Sequence, residues 1–365
     1  MKNFIIISIL IFSMSLLFSD LVELSENQGL PLFKAESAGL EWTRVEFHLD
    51  GYLAEQVEVD GTEYISISYP EEGEFIEIGM PALPRFSRLI AIPDEGEVSV
   101  DIVYTDTEIL SDIKVFPRQN LRSESQPLRE SFTIDQAYYN NGAIFPGKIV
   151  ELDSPAILRD YRVVSLTINP FNYDPVKQEL EIVKSVEVIV QTNGRGGDNI
   201  RTGERKISRF FEPIYQSVIL NYETAGSRDE EYLQPNYLFI YPNNSTILPL
   251  VNELAEWKHQ KGFHIVTAST TVTGTSLSSI KSYLQNAYNN WEITPEFVCL
   301  VGDAGGTFSI PTSNSGGGDG DQYYALLEGN DILADIIIGR LSYSSAYELQ
   351  TILGKIFNYE RNPYL

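Results

Sequence analysis

The sequence predicts two structural halves: an all-β, sandwich-like half and then an α/β half on a parallel sheet. Three observations predict it. Residues 42–222 are rich in segments of strand composition, many alternating, punctuated by Pro, Gly and Asn. From residue 237 short apolar runs alternate with helical patterns, the order that gives parallel strands and right-handed crossovers. Between them, residues 223–236 are polar and contain Gly226-Ser227-Arg228-Asp229-Glu230-Glu231, which reads as a linker.

Residues 1–19 have the form of a secretory signal: Lys2, an apolar run from Phe4 to Phe18, then Ser19. The run is too short for a confident spanning helix, and nothing else reaches membrane length. The expectation is a secreted or cell-surface protein with no stable membrane span after signal removal. Residues 20–41 read as a leader. Strand composition is clearest in Glu63–Tyr69, Val98–Tyr104, Arg162–Ile168 and Glu179–Val190. Residues 191–198 form a Gly-rich turn, followed by a basic island of Arg201, Arg205, Lys206 and Arg209. That island reads either as a solvated loop or as a protease-accessible site.

In the second half, Tyr237–Tyr241 predicts a strand. A helix follows over 246–261, with Gly262 placed to end it. Phe263–Thr267 predicts the next strand, and residues 276–290 the next helix, with Leu277, Ile280, Tyr283, Leu284, Ala287 and Tyr288 at helical spacing. Phe297–Val301 and Ile336–Ile338 are continuous apolar runs, the texture of buried parallel strands. Tyr347–Tyr359 predicts a final helix. No return strand follows it before Leu365, so a partial chain is expected.

Bulk properties narrow the function. A composition 43% hydrophobic and 21% charged describes a folded chain. A net charge of -25 argues against nucleic acid, whose phosphates need clustered Lys and Arg. It suits a soluble exported protein or one that binds cations. Cys299 is the one cysteine in the sequence, so no internal disulfide forms.

Catalytic chemistry is sparse. Cys299 lies inside an apolar strand, where burial disfavours the thiolate a nucleophile needs. His48, His259 and His264 make no recognisable pair with it by spacing. No Gly-x-Ser-x-Gly elbow occurs. Gly316–Gly320 lacks the Lys-Ser or Lys-Thr of a phosphate loop. Acidic residues do gather between Asp303 and Asp335, near strand ends where open α/β sheets bind ligands. Calcium takes six to eight oxygens from carboxylates and carbonyls. Asp303 follows a strand end, and Glu328–Asp335 is an oxygen-rich loop with a tight Gly329-Asn330 turn. A calcium site and an ordinary acidic loop both remain open.

These residues resemble the gingipain family of secreted cysteine peptidases. The likeness rests on Glu256-Trp257-Lys258-His259-Gln260-Lys261-Gly262, Leu300-Val301-Gly302-Asp303, Asp321-Gln322-x-Tyr324, Gly329-Asn330-Asp331, Ile338-Gly339-Arg340 and Tyr359-Glu360-Arg361-Asn362. Earlier, Gly79–Pro84, Leu89–Pro93, Arg159–Val164 and Asn169–Pro175 are similar to the family's propeptide. The resemblance implies a β-rich prodomain that contacts and inhibits a caspase-like peptidase domain acting on proteins or peptides. It also implies that the catalytic His and Cys lie beyond Leu365, so this chain holds no catalytic residue and Cys299 is not the nucleophile. It implies Ca2+ bound by carboxylates of Asp303, Asp331 and Asp335 and carbonyls of Glu328 and Leu333, with Asp335 standing where the family carries Glu. Prodomain release is expected after Arg228, with Arg205-Lys206 as the alternative. The rival expectations are a non-catalytic, secreted or cell-surface binding protein on the same scaffold, and a stand-alone adhesion module in the β region.

Overall fold

A computed structural model describes residues 20–121, 132–203, 207–225, 232–315 and 318–362. The signal-like segment, Arg205, Lys206 and Arg228 lie outside the described residues.

The first half consists of antiparallel sheets around one core. Its longest strand, Glu179–Asn193, buries alternate side chains, as the period of two requires. Trp42–His48 pairs along one edge of it and Glu97–Leu110 along the other. A second sheet centres on Tyr161–Ile168, paired with Pro84–Ile92. A third contains Gly51–Val59 between Asp20–Glu23 and Thr62–Ser68. Val45, Phe47, Ile67, Phe86, Ile90, Val164, Leu166 and Val188 share the core between these sheets. Each fully buried side chain of this kind is worth about 2 kcal/mol.

Two expectations change here. Residues 20–41 are more than a leader, because Asp20–Glu23 and Phe33–Ser37 pair into sheets and Phe33 and Ala35 pack on the core. The half is also not purely β. Gln136–Asn141 is a short helix whose N-terminal Asp135 accepts the Tyr138 N–H, and Glu212–Val218 is another with a Pro in its first turn. At six and seven residues, both are too short to show helical periodicity in the sequence.

The second half is a four-stranded parallel sheet in the order His264–Ser269, Asn236–Tyr241, Phe297–Val301, Ile337–Leu341. Alternate strand residues choose opposite faces. Leu238, Ile240, Val298 and Leu300 meet Ile280, Leu284 and Tyr288 of the helix Leu277–Asn290. Phe239, Cys299 and Val301 meet Val251, Leu254, Leu349, Leu353 and Phe357 of the helices Leu248–Gln260 and Ala346–Arg361. Ser276 starts one helix with a capping box to Ser279, and Ser345 starts another by accepting the Glu348 N–H. Gly262, at φ +96, ends the first helix in a conformation that favours glycine. Glu360 ties the two helices on one face by accepting from Trp257, Lys258 and Lys261. Among the described residues no helix is long and apolar enough to cross a membrane.

Candidate functional site

Three places carry polar side chains in unusual settings: the carboxyl end of the parallel sheet, the acidic turn 328–335, and the seam between the halves.

At the carboxyl end Arg340 fastens the loops. Its Nε and Nη2 donate to both carboxylate oxygens of Asp321, at 2.9 and 2.7 Å. Its Nη1 donates to the carbonyls of Gly302 and Ile310, at 2.9 and 2.8 Å. A planar, five-donor guanidinium suits this four-bond clamp. Asp303 sits in the clamped loop, where Oδ1 accepts the Ala304 N–H.

Cys299 lies between these loops and the sheet's other end. It is 6% exposed, and burial pushes its thiol up to about 12, against the lowering influence of Lys258 and Arg340. It is a core residue and not a thiolate. Each histidine has a partner elsewhere: His48 beside Glu46, His259 near the Phe263 carbonyl, His264 with Asn236 Oδ1.

The acidic turn is built around Asp335, which is fully buried. Its Oδ2 accepts the N–H groups of Leu327 and Glu328, at 2.6 and 2.7 Å. Its Oδ1 has no hydrogen-bond partner. Burial raises the carboxyl to about 7; the two N–H groups oppose that rise, while Glu328 and Asp331 add to it. Asp331 holds the turn by accepting the Leu333 N–H on Oδ1.

The register separates Asp303 from this turn. Phe297 lies beside Ile337 and Val301 beside Leu341 in parallel. Asp335 therefore precedes its strand at the amino end, whereas Asp303 follows its strand at the carboxyl end. The five-residue strand Phe297–Val301 between them spans roughly 16 Å at about 3.3 Å per residue. A parallel crossover returns the chain to the amino end of the neighbouring strand, so one ion cannot bridge the two. The five-residue ligand set does not converge. Among the described residues no group of three His, Cys, Asp or Glu side chains is disposed around a metal position. The turn by itself retains one relevant feature: Asp335 Oδ1 is buried and unpartnered with Glu328 and Asp331 close by, an oxygen of the hard type that calcium takes.

The seam between the halves lies at the same amino end. Arg159, 1% exposed, donates from Nη1 to the carbonyls of Pro295 and Asp335. Its guanidinium lies over the rings of Phe211 and Tyr288, at 5.0 and 5.7 Å. Asp160 accepts the Ser208 N–H at 2.9 Å and the Tyr215 O–H at 2.7 Å. Ser208 Oγ in turn donates to Glu296 across the seam. Burial raises the Glu296 carboxyl, with Ser208 and Arg159 opposing. Asp331 Oδ2 accepts the Ile157 N–H at 2.8 Å, and Asn199 Oδ1 accepts the Asn330 N–H at 2.8 Å. Phe210 packs against Phe263 and Phe297, and Leu333 and Ile337 join the cluster of Leu158, Tyr161 and Phe211.

Sequence reasoning missed this network. Arg159-Asp160 stood out there only as part of a resemblance, and the one local signal is weak: two adjacent opposite charges beside an apolar run.

Comparisons with known proteins agree in both halves. Residues 29–229 match the Propeptide_C25 family and residues 230–364 match Peptidase family C25. Gingipain R2 of Porphyromonas gingivalis is 29% identical over 371 residues, covering 99% of this chain and 49% of its own length. Gingipain R1 of the same organism is 26% identical over 352 residues, covering 94% of this chain and 34% of the relative. The chain thus spans about half or less of these relatives. A solved complex of the Porphyromonas gingivalis RgpB pro- and mature domains is similar over 53% of this chain and 98% of its own, with 28% identity and a TM-score of 0.47. With the propeptide model alone matching more than half its length, the chain belongs to the gingipain-type C25 family, as a propeptide followed by peptidase-family sequence.

Proposed function

We propose that the chain is the N-terminal portion of a secreted, gingipain-like cysteine endopeptidase zymogen. The β-rich half, with the strands of residues 20–41 included, acts as its inhibitory prodomain and residues 237–365 begin a caspase-like peptidase domain. The observation that carries this reading is the seam. The half that matches the propeptide docks through a buried network of charges onto the half that matches the peptidase. In this reading protein or peptide substrates and the catalytic His and Cys belong to sequence beyond Leu365, and Cys299 takes no part in the chemistry. Processing falls in the linker, after Arg228, with Arg205-Lys206 as the second choice.

Calcium in this reading is structural. Carboxylates of Asp331 and Asp335 and carbonyls of Glu328 and Leu333 would hold it, without Asp303. A divalent cation there would give the buried, orphaned Asp335 Oδ1 a partner.

N-terminal sequencing of the secreted, processed form tests the proposal. A mature start between residues 195 and 235 is expected, and a start well outside that window overturns it. Reading the gene past Leu365 tests the enzyme assignment. A His-Gly step after one strand and an Ala-Cys-like step after the next are expected; their absence overturns it.

A further inference from the structure

We propose that the β-rich half carries a small-molecule site, an apolar cavity between two of its sheets that takes a compact hydrocarbon body ending in a protonated amine. The proposal stands apart from the prodomain reading and from the seam.

The strands' period of two builds the cavity. One wall is a face of the three-stranded sheet: Val22 and Leu24, Tyr52 and Ala54, Ile65 and Ile67, each pair two positions apart. Register puts Val22 beside Tyr52 and Ala54 beside Ile67, so these side chains share that face. The facing wall is Leu180 and Ile182 of the strand Glu179–Asn193, with Leu110 of the strand next to it. The space between is about 320 Å³, inside the roughly 300–1,000 Å³ usual for small-molecule sites.

Two polar groups interrupt the apolar lining. Glu108 lies beside Ile182 in the ladder and two positions before Leu110, a place where the pattern calls for an apolar side chain. The residue is exposed, so its carboxylate stands at the mouth. Among the described residues that carboxylate has no hydrogen bond or ion pair. Tyr52 is 5% exposed and packs edge to face on Phe171, with ring centres 5.3 Å apart. Its hydroxyl also has no partner among the described residues. Burial raises this hydroxyl above its ordinary range, and the Glu108 charge adds to the rise, so the two groups are neighbours.

Open apolar space is costly and attracts hydrocarbon; a cavity of roughly 150 Å³ binds benzene. About twice that volume suits a body of about eight to twelve carbons. The end at the mouth meets an unpaired carboxylate and an unpaired hydroxyl. A primary ammonium has three donors, enough for both and for water. A carboxylate head would face Glu108 with like charge, and an alcohol head would bring no charge to it.

The test titrates the folded full chain with octylamine, octanol and octanoate by calorimetry at neutral pH. Octylamine is expected to bind one saturable site at least about fivefold tighter than octanol, with octanoate weakest. Glu108→Gln should abolish the preference for the amine and leave octanol binding as it is. Absence of saturable octylamine binding, equal affinity for the three, or a preference that survives Glu108→Gln overturns the proposal. Nuclear Overhauser contacts from octylamine to the methyl groups of Ile65, Ile67 and Ile182 are expected in the parent chain. A bound ligand without those contacts lies elsewhere and overturns it as well.

Discussion

Arg159 and Asp335, separated by 176 positions in the chain, are joined by a hydrogen bond from the guanidinium Nη1 to the backbone carbonyl. The bond joins a left-handed turn of the β-rich half, where Arg159 has φ 49, to the entry of the last parallel strand. Replacing Arg159 with Ala removes the donor from two buried carbonyls and the counter-charge from Glu296 and Asp160. The expected loss is about 3 kcal/mol of stability, seen in urea unfolding as an early, separate transition of the two halves. Arg159→Lys is expected to lose roughly half as much. A single unchanged transition in both variants contradicts the anchoring role.

Asp335 predicts a pH dependence. Its folded-state carboxyl is raised to about 7, mainly by burial. A raised carboxyl contributes stability that is fully present below its unfolded value of about 4 and lost as pH rises through 7. Without added calcium, the thermal midpoint should therefore fall between pH 5 and pH 8. The Asp335→Asn chain should show a flatter profile over that window, and equal slopes would argue against the assignment.

Calcium should reverse that loss. An ion bound to the folded turn at a hundredfold excess over its Kd stabilises by about 2.7 kcal/mol. The expected signature is a calcium-dependent rise in the thermal midpoint that Asp331→Asn and Asp335→Asn abolish. Asp303→Asn, at the other end of the sheet, should leave it intact. A calcium response that Asp303→Asn removes would place the ion elsewhere.

Arg340 should control the order of the loops at the carboxyl end. Arg340→Lys keeps the charge but cannot make the two bonds to Asp321 and the two to Gly302 and Ile310 together. Amide exchange in residues 302–312 is expected to accelerate roughly tenfold or more in Arg340→Lys, and similarly in Arg340→Ala. Protection equal to the parent chain would show that the clamp is dispensable.

Cys299 should be chemically silent. Its thiol is expected to resist iodoacetamide at pH 8 in the folded chain and to react promptly after denaturation. Rapid native labelling would contradict its burial.

Much of the α/β half was legible in the sequence. The runs at Tyr237–Tyr241 and Phe297–Val301 have no polar face, and the helices announce themselves through Ile280, Leu284, Leu349 and Leu353. The boundaries moved because pairing fixes strand ends: Asp335 stays outside the strand that begins at Ile337. Asp303 and Asp335 lie only 32 positions apart in sequence, while parallel connectivity sends them to opposite ends of two neighbouring strands. Reading the strand direction from the alternating elements would have caught this. Arg159 and Glu296 were not legible, because a long-range partner buries each of them and neither shows a local period.

The seam's wiring has a consequence for how the halves part. Ser208 answers Glu296, Asp160 holds Ser208 and Tyr215, and Arg159 serves both Pro295 and Asp335. Opening any one contact strands a charge in a space that water cannot yet enter. Half-open arrangements are therefore scarce, and detachment should proceed as one abrupt event with a steep dependence on denaturant.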